Sequence, residues 1–147
     1  MSALVKRNLF HVVKNITWND MIDKLNNECD SLTIRSYARN ECPTMVCRND
    51  YYPNTILDAY REVDNKIPVS GLHIYTSFSS IFSPYGRHRD DEDVLIVQAV
   101  GNMTYSFDDG SVCKLDPGDA LYIPKGVYHN PSVSGPRITL SFKPKPL

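Results

Sequence analysis

The sequence predicts a mainly β fold of the α+β class, a small barrel or sandwich of short strands with two helices laid over one face. Three observations carry that prediction. Before about residue 66, apolar residues recur at helical spacing in two separate stretches. From about residue 70 the pattern changes to eight short strand-like runs, each bounded by Gly, Pro, Asp or Ser. These runs follow one another with no helical segment between them, which points to a sandwich or barrel rather than to βαβ units. A chain of 147 residues suits one domain, 1–147, with a helical lead-in over 1–69 and a strand-rich core over 70–143.

The first helix is expected in TWNDMIDKLNN, where Thr17 stands as N-cap and Trp18, Met21, Ile22 and Leu25 fall on one face. The second is expected in PNTILDAYREV, with Pro53 at its start and Ile56, Leu57 and Tyr60 on one face. Between them RNECPTMVCRNDYYP reads as irregular, broken by prolines. The strand-like runs are then LHIYTSF, GRHRD, DVLIVQAV, MTYSF, SVCKL, ALYIP, VYHNP and PRITLSF. DDG at 108–110 is a hairpin turn, since its acids lack the alternating spacing of a calcium loop. DPGD at 116–119 marks a second tight turn, and KPKP at 143–146 an exposed, extended end.

Composition excludes several classes. A net charge of −1 gives no general pull toward nucleic acid or a membrane surface. No apolar run is long enough to span a bilayer, and the N-terminus has no cleavage pattern of a secretory signal. A cytoplasmic location with reduced thiols at Cys29, Cys42, Cys47 and Cys113 is therefore expected. Cys42 and Cys47 lack the second pair of ligands that a zinc site needs. Neither a nucleophile elbow nor a P-loop occurs.

The segment GRHRDDEDVLIVQ, residues 86–98, carries the chemistry. His88 and Asp90 are two apart, so on an extended chain both point to one side, and Arg89 and Asp91 to the other. Glu92 belongs to the turn. His129 follows a tight turn far downstream and can face the first pair across a double sheet. Two imidazoles and a carboxylate on one side of an ion leave three positions open. That suits Fe(II), which must take an organic cosubstrate and O2 together, better than zinc in a closed site. Gln98 interrupts an apolar strand, so it either lines a cavity or makes a buried hydrogen bond.

The segments HRDDEDVLIVQAVGNMTY, LDPGDALYIPKGVYHN and PRITLSF resemble the metal-binding half of JmjC-type, cupin-like Fe(II)/2-oxoglutarate-dependent oxygenases. The matching points are His88, Asp90, Asp93 with Val94, Gln98, Gly101, the aromatic Tyr105, the PGDxLYIP turn and His129. The resemblance covers residues 70–143 and implies a double-stranded β-helix, or jelly roll. It also implies a metal triad of His88, Asp90 and His129, with 2-oxoglutarate and O2 as partners. Members of the family carry a Lys or Arg that holds the far carboxylate of the cosubstrate, and here that position is Met103. A dianion in a dry pocket needs a cation. Arg137 and Thr139 share a face of the last run and are similar to the Arg-x-Ser pair that other 2-oxoglutarate oxygenases use there. They are the expected replacement anchor, with Gln98 beside them.

Further expectations follow. Asp93 is placed to orient a ligand histidine. Tyr75, Tyr85 and Tyr122 could each reach a bound carboxylate, while His11 and His73 are expected to be satisfied or exposed rather than ligands. The chain is short for the resembled family, no long C-terminal dimerisation region is expected in it, and the helices and the 36–54 loop would then form most of the pocket mouth. The primary substrate, protein, peptide or small molecule, is left open. So are two alternatives: a metal-dependent cupin enzyme acting on a small molecule without 2-oxoglutarate, and a non-catalytic barrel.

Overall fold

The computed structural model describes residues 2–27, 33–35, 44–47, 51–79 and 86–146 of the chain, with side chains at 33–35, 44 and 47 left aside. The expected residues 36–43 and 48–50 of the mouth loop, together with Tyr85, Cys29 and Cys42, lie outside the described residues.

Helix α1, Trp18–Asn26, begins at a capping box. The Thr17 hydroxyl accepts from the Asp20 amide while the Asp20 carboxylate accepts from the Thr17 amide at 2.7 Å. Its buried face is narrower than the spacing implied. Met21 is buried, but Ile22, about 100° round the helix from Met21, is 58% exposed. Lys24 is buried in its place, donating to the Tyr51 carbonyl and lying 4.2 Å over the Tyr52 ring. Helix α2, Asn54–Lys66, follows Pro53. Its buried stripe is Ile56, Ala59 and Val63, with Leu57 and Tyr60 only half-buried on its flank.

The strands are β1 (Leu4–Lys6), β2 (Thr33–Arg35), β3 (Thr44–Cys47), β4 (Val69–Ser77), β5 (Val94–Val100), β6 (Met103–Phe107), β7 (Val112–Leu115), β8 (Ala120–Ile123), β9 (His129–Val133) and β10 (Arg137–Pro144). They form a seven-stranded sheet, β1-β8-β5-β10-β4-β3-β2, facing a three-stranded sheet, β7-β6-β9, with every pairing antiparallel. This is the double-stranded β-helix with helices on one face. The lead-in is not purely helical, because β1 extends one edge of the large sheet and β2–β3 the other. Such edge pairings come from the partner strand rather than from local pattern, so periodicity missed them. KPKP is no loose end either: Lys143 and Pro144 finish β10 opposite Ser70 and Val69.

The two faces of the large sheet have different tasks. Ile74, Leu95, Val97, Ile138, Leu140 and Phe142 pack against the helices and Phe10. On the other face, Ile96, Leu121 and Ile123 meet Met103, Tyr105 and Leu115 of the small sheet. The DPGD turn locks the N-terminal segment to this frame. Gly118 has φ +92° and donates to the Gln98 carbonyl, and its own carbonyl accepts from the Phe10 amide. Asp119 accepts from the amides of Asn8 and Asp116 and pairs with Arg7. Burial alone would raise the Asp119 carboxyl, but those hydrogen bonds together hold it below the usual carboxylate range.

Candidate metal centre

GRHRD does not form a strand. His88 makes only an isolated antiparallel bridge with His129, its amide donating to the His129 carbonyl at 2.9 Å and its carbonyl accepting from the His129 amide at 2.8 Å. The flanking charged residues leave no second apolar pair to extend the ladder. One bridge is nevertheless enough to set the two imidazoles side by side, with ring centroids 4.3 Å apart.

Both rings are held in the same way. His88 Nδ1 donates to the Gly86 carbonyl at 2.8 Å, and His129 Nδ1 donates to the Val127 carbonyl at 3.0 Å. A carbonyl only accepts, so in each ring Nδ1 carries the proton and Nε2 presents a lone pair. Asp90 lies between them, with Oδ2 3.4 Å from His129 Nε2 and Oδ1 3.8 Å from His88 Nε2. The three side chains offer ligand atoms all within 4.8 Å of one another. Ligand atoms on one face of an octahedral ion with ~2.1 Å bonds stand ~3.0 Å apart, so the set is about an ångström open and can close on an ion. Burial lowers the His129 pKa, outweighing the Val127 carbonyl and Asp90, which favour the charged ring, and His88 lowers it further. The neutral ring this favours is the form that binds metal. Arg89 is exposed as expected, whereas Asp91, also exposed, lines the cavity beside the triad.

Asp93 does not orient either histidine. Its carboxylate accepts from the Tyr122 hydroxyl at 2.5 Å and from the Lys125 amide at 2.7 Å, tying the start of β5 to the turn after β8. The Tyr122 hydrogen bond first, then the Lys125 amide, hold its carboxyl below the ordinary range. The histidines instead take their orientation from backbone carbonyls two residues upstream. The same bond removes Tyr122 as a candidate for a bound carboxylate.

The triad stands on the wall of a cavity of about 700 Å³ between the sheets. Arg137 and Thr139 line it, as do Tyr75, Met103 and Tyr105. Arg137 is 3% exposed; its Nε donates to Ser77 Oγ at 3.2 Å, and its guanidinium lies 5.9 Å from the Tyr75 ring centre. Met103, buried in the small sheet, lines the same cavity as the apolar residue the sequence shows. Gln98 lies fully buried beside Thr139, its cross-strand partner, and is not among the residues lining the cavity; it donates through Nε2 to the Val100 carbonyl at 2.9 Å and accepts the Thr139 hydroxyl at 2.8 Å. Its buried hydrogen bonds, rather than a direct place in the cavity, are therefore what the structure displays. His73 is exposed at the rim and His11 is exposed far from it.

Two residues in or behind the cavity wall escaped sequence reasoning as polar contacts. Ser77 receives the Arg137 Nε, and Tyr105 turns its ring into the cavity 6.4 Å from His129. A signal for Tyr105 was present, since it lies two residues from Met103 on β6 and so shares its face.

No protein-family profile and no curated protein sequence matches the chain. Solved structures match its fold. Against ycfD of Escherichia coli the TM-score is 0.70 at 17% identity, covering 99% of this chain and 50% of that one. Against the ribosomal oxygenase YcfD from Escherichia coli in complex with cobalt and 2-oxoglutarate it is 0.68 at 16% identity, covering 99% and 48%. The complex with cobalt and succinic acid scores 0.68 at 17% identity, again covering 99% and 48%. The chain spans about half the length of these structures, and at such identity the likeness is one of fold.

Proposed function

We propose that the chain is an Fe(II)- and 2-oxoglutarate-dependent oxygenase of the hydroxylase type, working as a single cytoplasmic domain. The observation that carries the reading is the convergence of His88 Nε2, His129 Nε2 and the Asp90 carboxylate on a cavity that also holds the buried cation of Arg137. The donor set fits the metal: two imidazoles, each held through Nδ1 on a backbone carbonyl with Nε2 turned to Asp90, and one carboxylate make the facial triad of non-haem Fe(II) oxygenases. Structures of the same fold that hold cobalt with 2-oxoglutarate or succinic acid support it.

His88, Asp90 and His129 would hold the metal. Arg137 would neutralise the far carboxylate of the cosubstrate within a largely apolar pocket lined by Val94, Ile96, Met103 and Pro131. Bound there, Fe(II), 2-oxoglutarate and O2 supply the oxidising chemistry, with succinate and CO2 leaving. The chain's own contribution is to orient the imidazoles through the Gly86 and Val127 carbonyls, to exclude water, and to leave space at the rim for a substrate. The primary substrate is a protein, a peptide or a small molecule.

The test is succinate release from 2-oxoglutarate by Fe(II)-loaded protein, with His88→Ala as the control. Turnover in the intact protein that disappears in the variant supports the reading. Its absence in the intact protein, with peptides and small molecules supplied, overturns it. One observation favours a second reading, a metal-dependent enzyme acting on a small molecule without 2-oxoglutarate: the residue at the family's anchor position is a buried methionine, Met103. Metal-dependent binding without any affinity for 2-oxoglutarate would select it.

A further inference from the structure

His88 and His129 are joined by one bridge of two backbone hydrogen bonds. Two-stranded pairings far longer than this are only marginally stable by themselves, so a second contact must set how the two segments lie. It is found on the side of the bridge away from the metal cavity. Each histidine takes its ring orientation from the carbonyl two residues before it, Gly86 for His88 and Val127 for His129. The residue between carbonyl and ring is Arg87 in one segment and Tyr128 in the other. Those two residues stack on each other. The Arg87 guanidinium carbon lies 3.9 Å from the centre of the Tyr128 ring, and that of Arg89 lies 5.4 Å from it. Asp108 holds the Arg87 fork in turn, accepting from Nε at 2.8 Å and from Nη2 at 2.5 Å. Asp108 follows Phe107, the residue of β6 that pairs with His129 across its other edge. Neither Arg87, Tyr128 nor Asp108 lines the metal cavity. We propose that the Asp108–Arg87–Tyr128 stack is the positioning device of the metal centre, setting the spacing of its two imidazoles from outside.

This inference rests on the metal centre of the proposed oxygenase and extends it to residues that touch no ligand. Two simpler roles for the stack lead to different results. One is stability. The side chains of Arg87 and Asp108 are 54% and 53% exposed, and an exposed ion pair adds little to folding. The other is charge. Arg87 is a cation near a site for a cation, so by repulsion alone its removal would tighten metal binding. Positioning gives the opposite sign, because the imidazoles lose the contact that fixes their backbone.

The experiment measures Co(II) binding by equilibrium dialysis and melting of the metal-free protein. It compares the unmodified chain, Arg87→Met, Tyr128→Leu, the two combined, Tyr128→Phe, and Gly118→Ala as a destabilised control in the DPGD turn. Arg87→Met and Tyr128→Leu should each weaken Co(II) by about tenfold or more, the effect of losing a group that orients metal ligands. Both remove the same contact, so the combined variant should stay within about threefold of the weaker single variant. Tyr128→Phe keeps the ring face and should bind within about threefold of the unmodified protein. Gly118→Ala should melt lower yet hold Co(II) within about threefold, which separates position from stability. The inference is overturned, with the metal centre left standing, by unchanged or tighter binding in Arg87→Met, by additive losses in the combined variant, by a Tyr128→Phe as weak as Tyr128→Leu, or by an equal loss in Gly118→Ala. If the unmodified protein binds no Co(II), the metal centre and this inference fail together. The readout uses the metal alone, so a lack of 2-oxoglutarate turnover would leave the inference intact.

Discussion

Replacing Arg137 by Met is the most decisive perturbation of the cavity. Met is an unbranched side chain, shorter than Arg but of comparable bulk, and residue 137 is 3% exposed, so the change removes a buried charge while keeping much of the volume. In the free protein the Ser77 hydroxyl is one group that loses a partner, giving up the Nε–H it accepts at 3.2 Å. With 2-oxoglutarate bound, the loss is that of one partner of a buried ion pair, about 3–5 kcal/mol. At ~1.4 kcal/mol per decade, the dissociation constant should rise by roughly two to four orders of magnitude. Equilibrium dialysis with Mn(II)-loaded protein reads this directly, and metal content serves as the control. His88, Asp90 and His129 are untouched, so Mn(II) should remain bound. An affinity for 2-oxoglutarate within about threefold of the unmodified protein would refute the argument that Arg137 replaces the cation missing at Met103.

Other consequences of the structure can be checked as simply. His129→Ala should weaken metal binding by more than about 100-fold, whereas Asp93→Asn should keep the metal and lose only thermal stability, as read by metal analysis and melting. Gly118→Ala places a methyl group 2.6 Å from the Phe10 carbonyl oxygen at a φ of +92°; a cost of about 2–4 kcal/mol should lower the melting temperature by roughly 5–15 °C. The Asp119 carboxyl is held below its unfolded value, so its contribution is present above the ordinary aspartate range of about 3.9 and is lost as pH falls through its folded pKa. Asp119→Asn should therefore flatten the loss of stability in acid, measured by denaturation between about pH 5 and 2.

The β-rich core was legible because alternation is local. DVLIVQAV and PRITLSF announce strands whatever they pair with, and β5 and β10 occupy those positions. The N-cap at Thr17 was also readable, since a capping residue acts within one turn, although its reciprocal bond to Asp20 was not. Less legible were β1, β2 and β3, which exist as strands because an edge of the large sheet is there to receive them. GRHRD shows the reverse error: it alternates like a strand but has a partner only at His88. Helix faces were half-legible, since spacing named Met21 and Ile56 but could not exclude Ile22 or find Lys24.

On its own, the sequence determined the residue types able to ligate a metal, their sidedness at His88 and Asp90, and the absence of a cation at position 103. These depend on side-chain chemistry and on a period of two, both present in one dimension. Only the tertiary structure decided that His129 lies 4.3 Å from His88, that Arg137 is buried at a cavity, and that the Thr139 proton is already spoken for. Those facts depend on which acceptor stands nearest each donor once distant strands have met, and a hydrogen bond between residues 98 and 139 leaves no trace in the order of either segment.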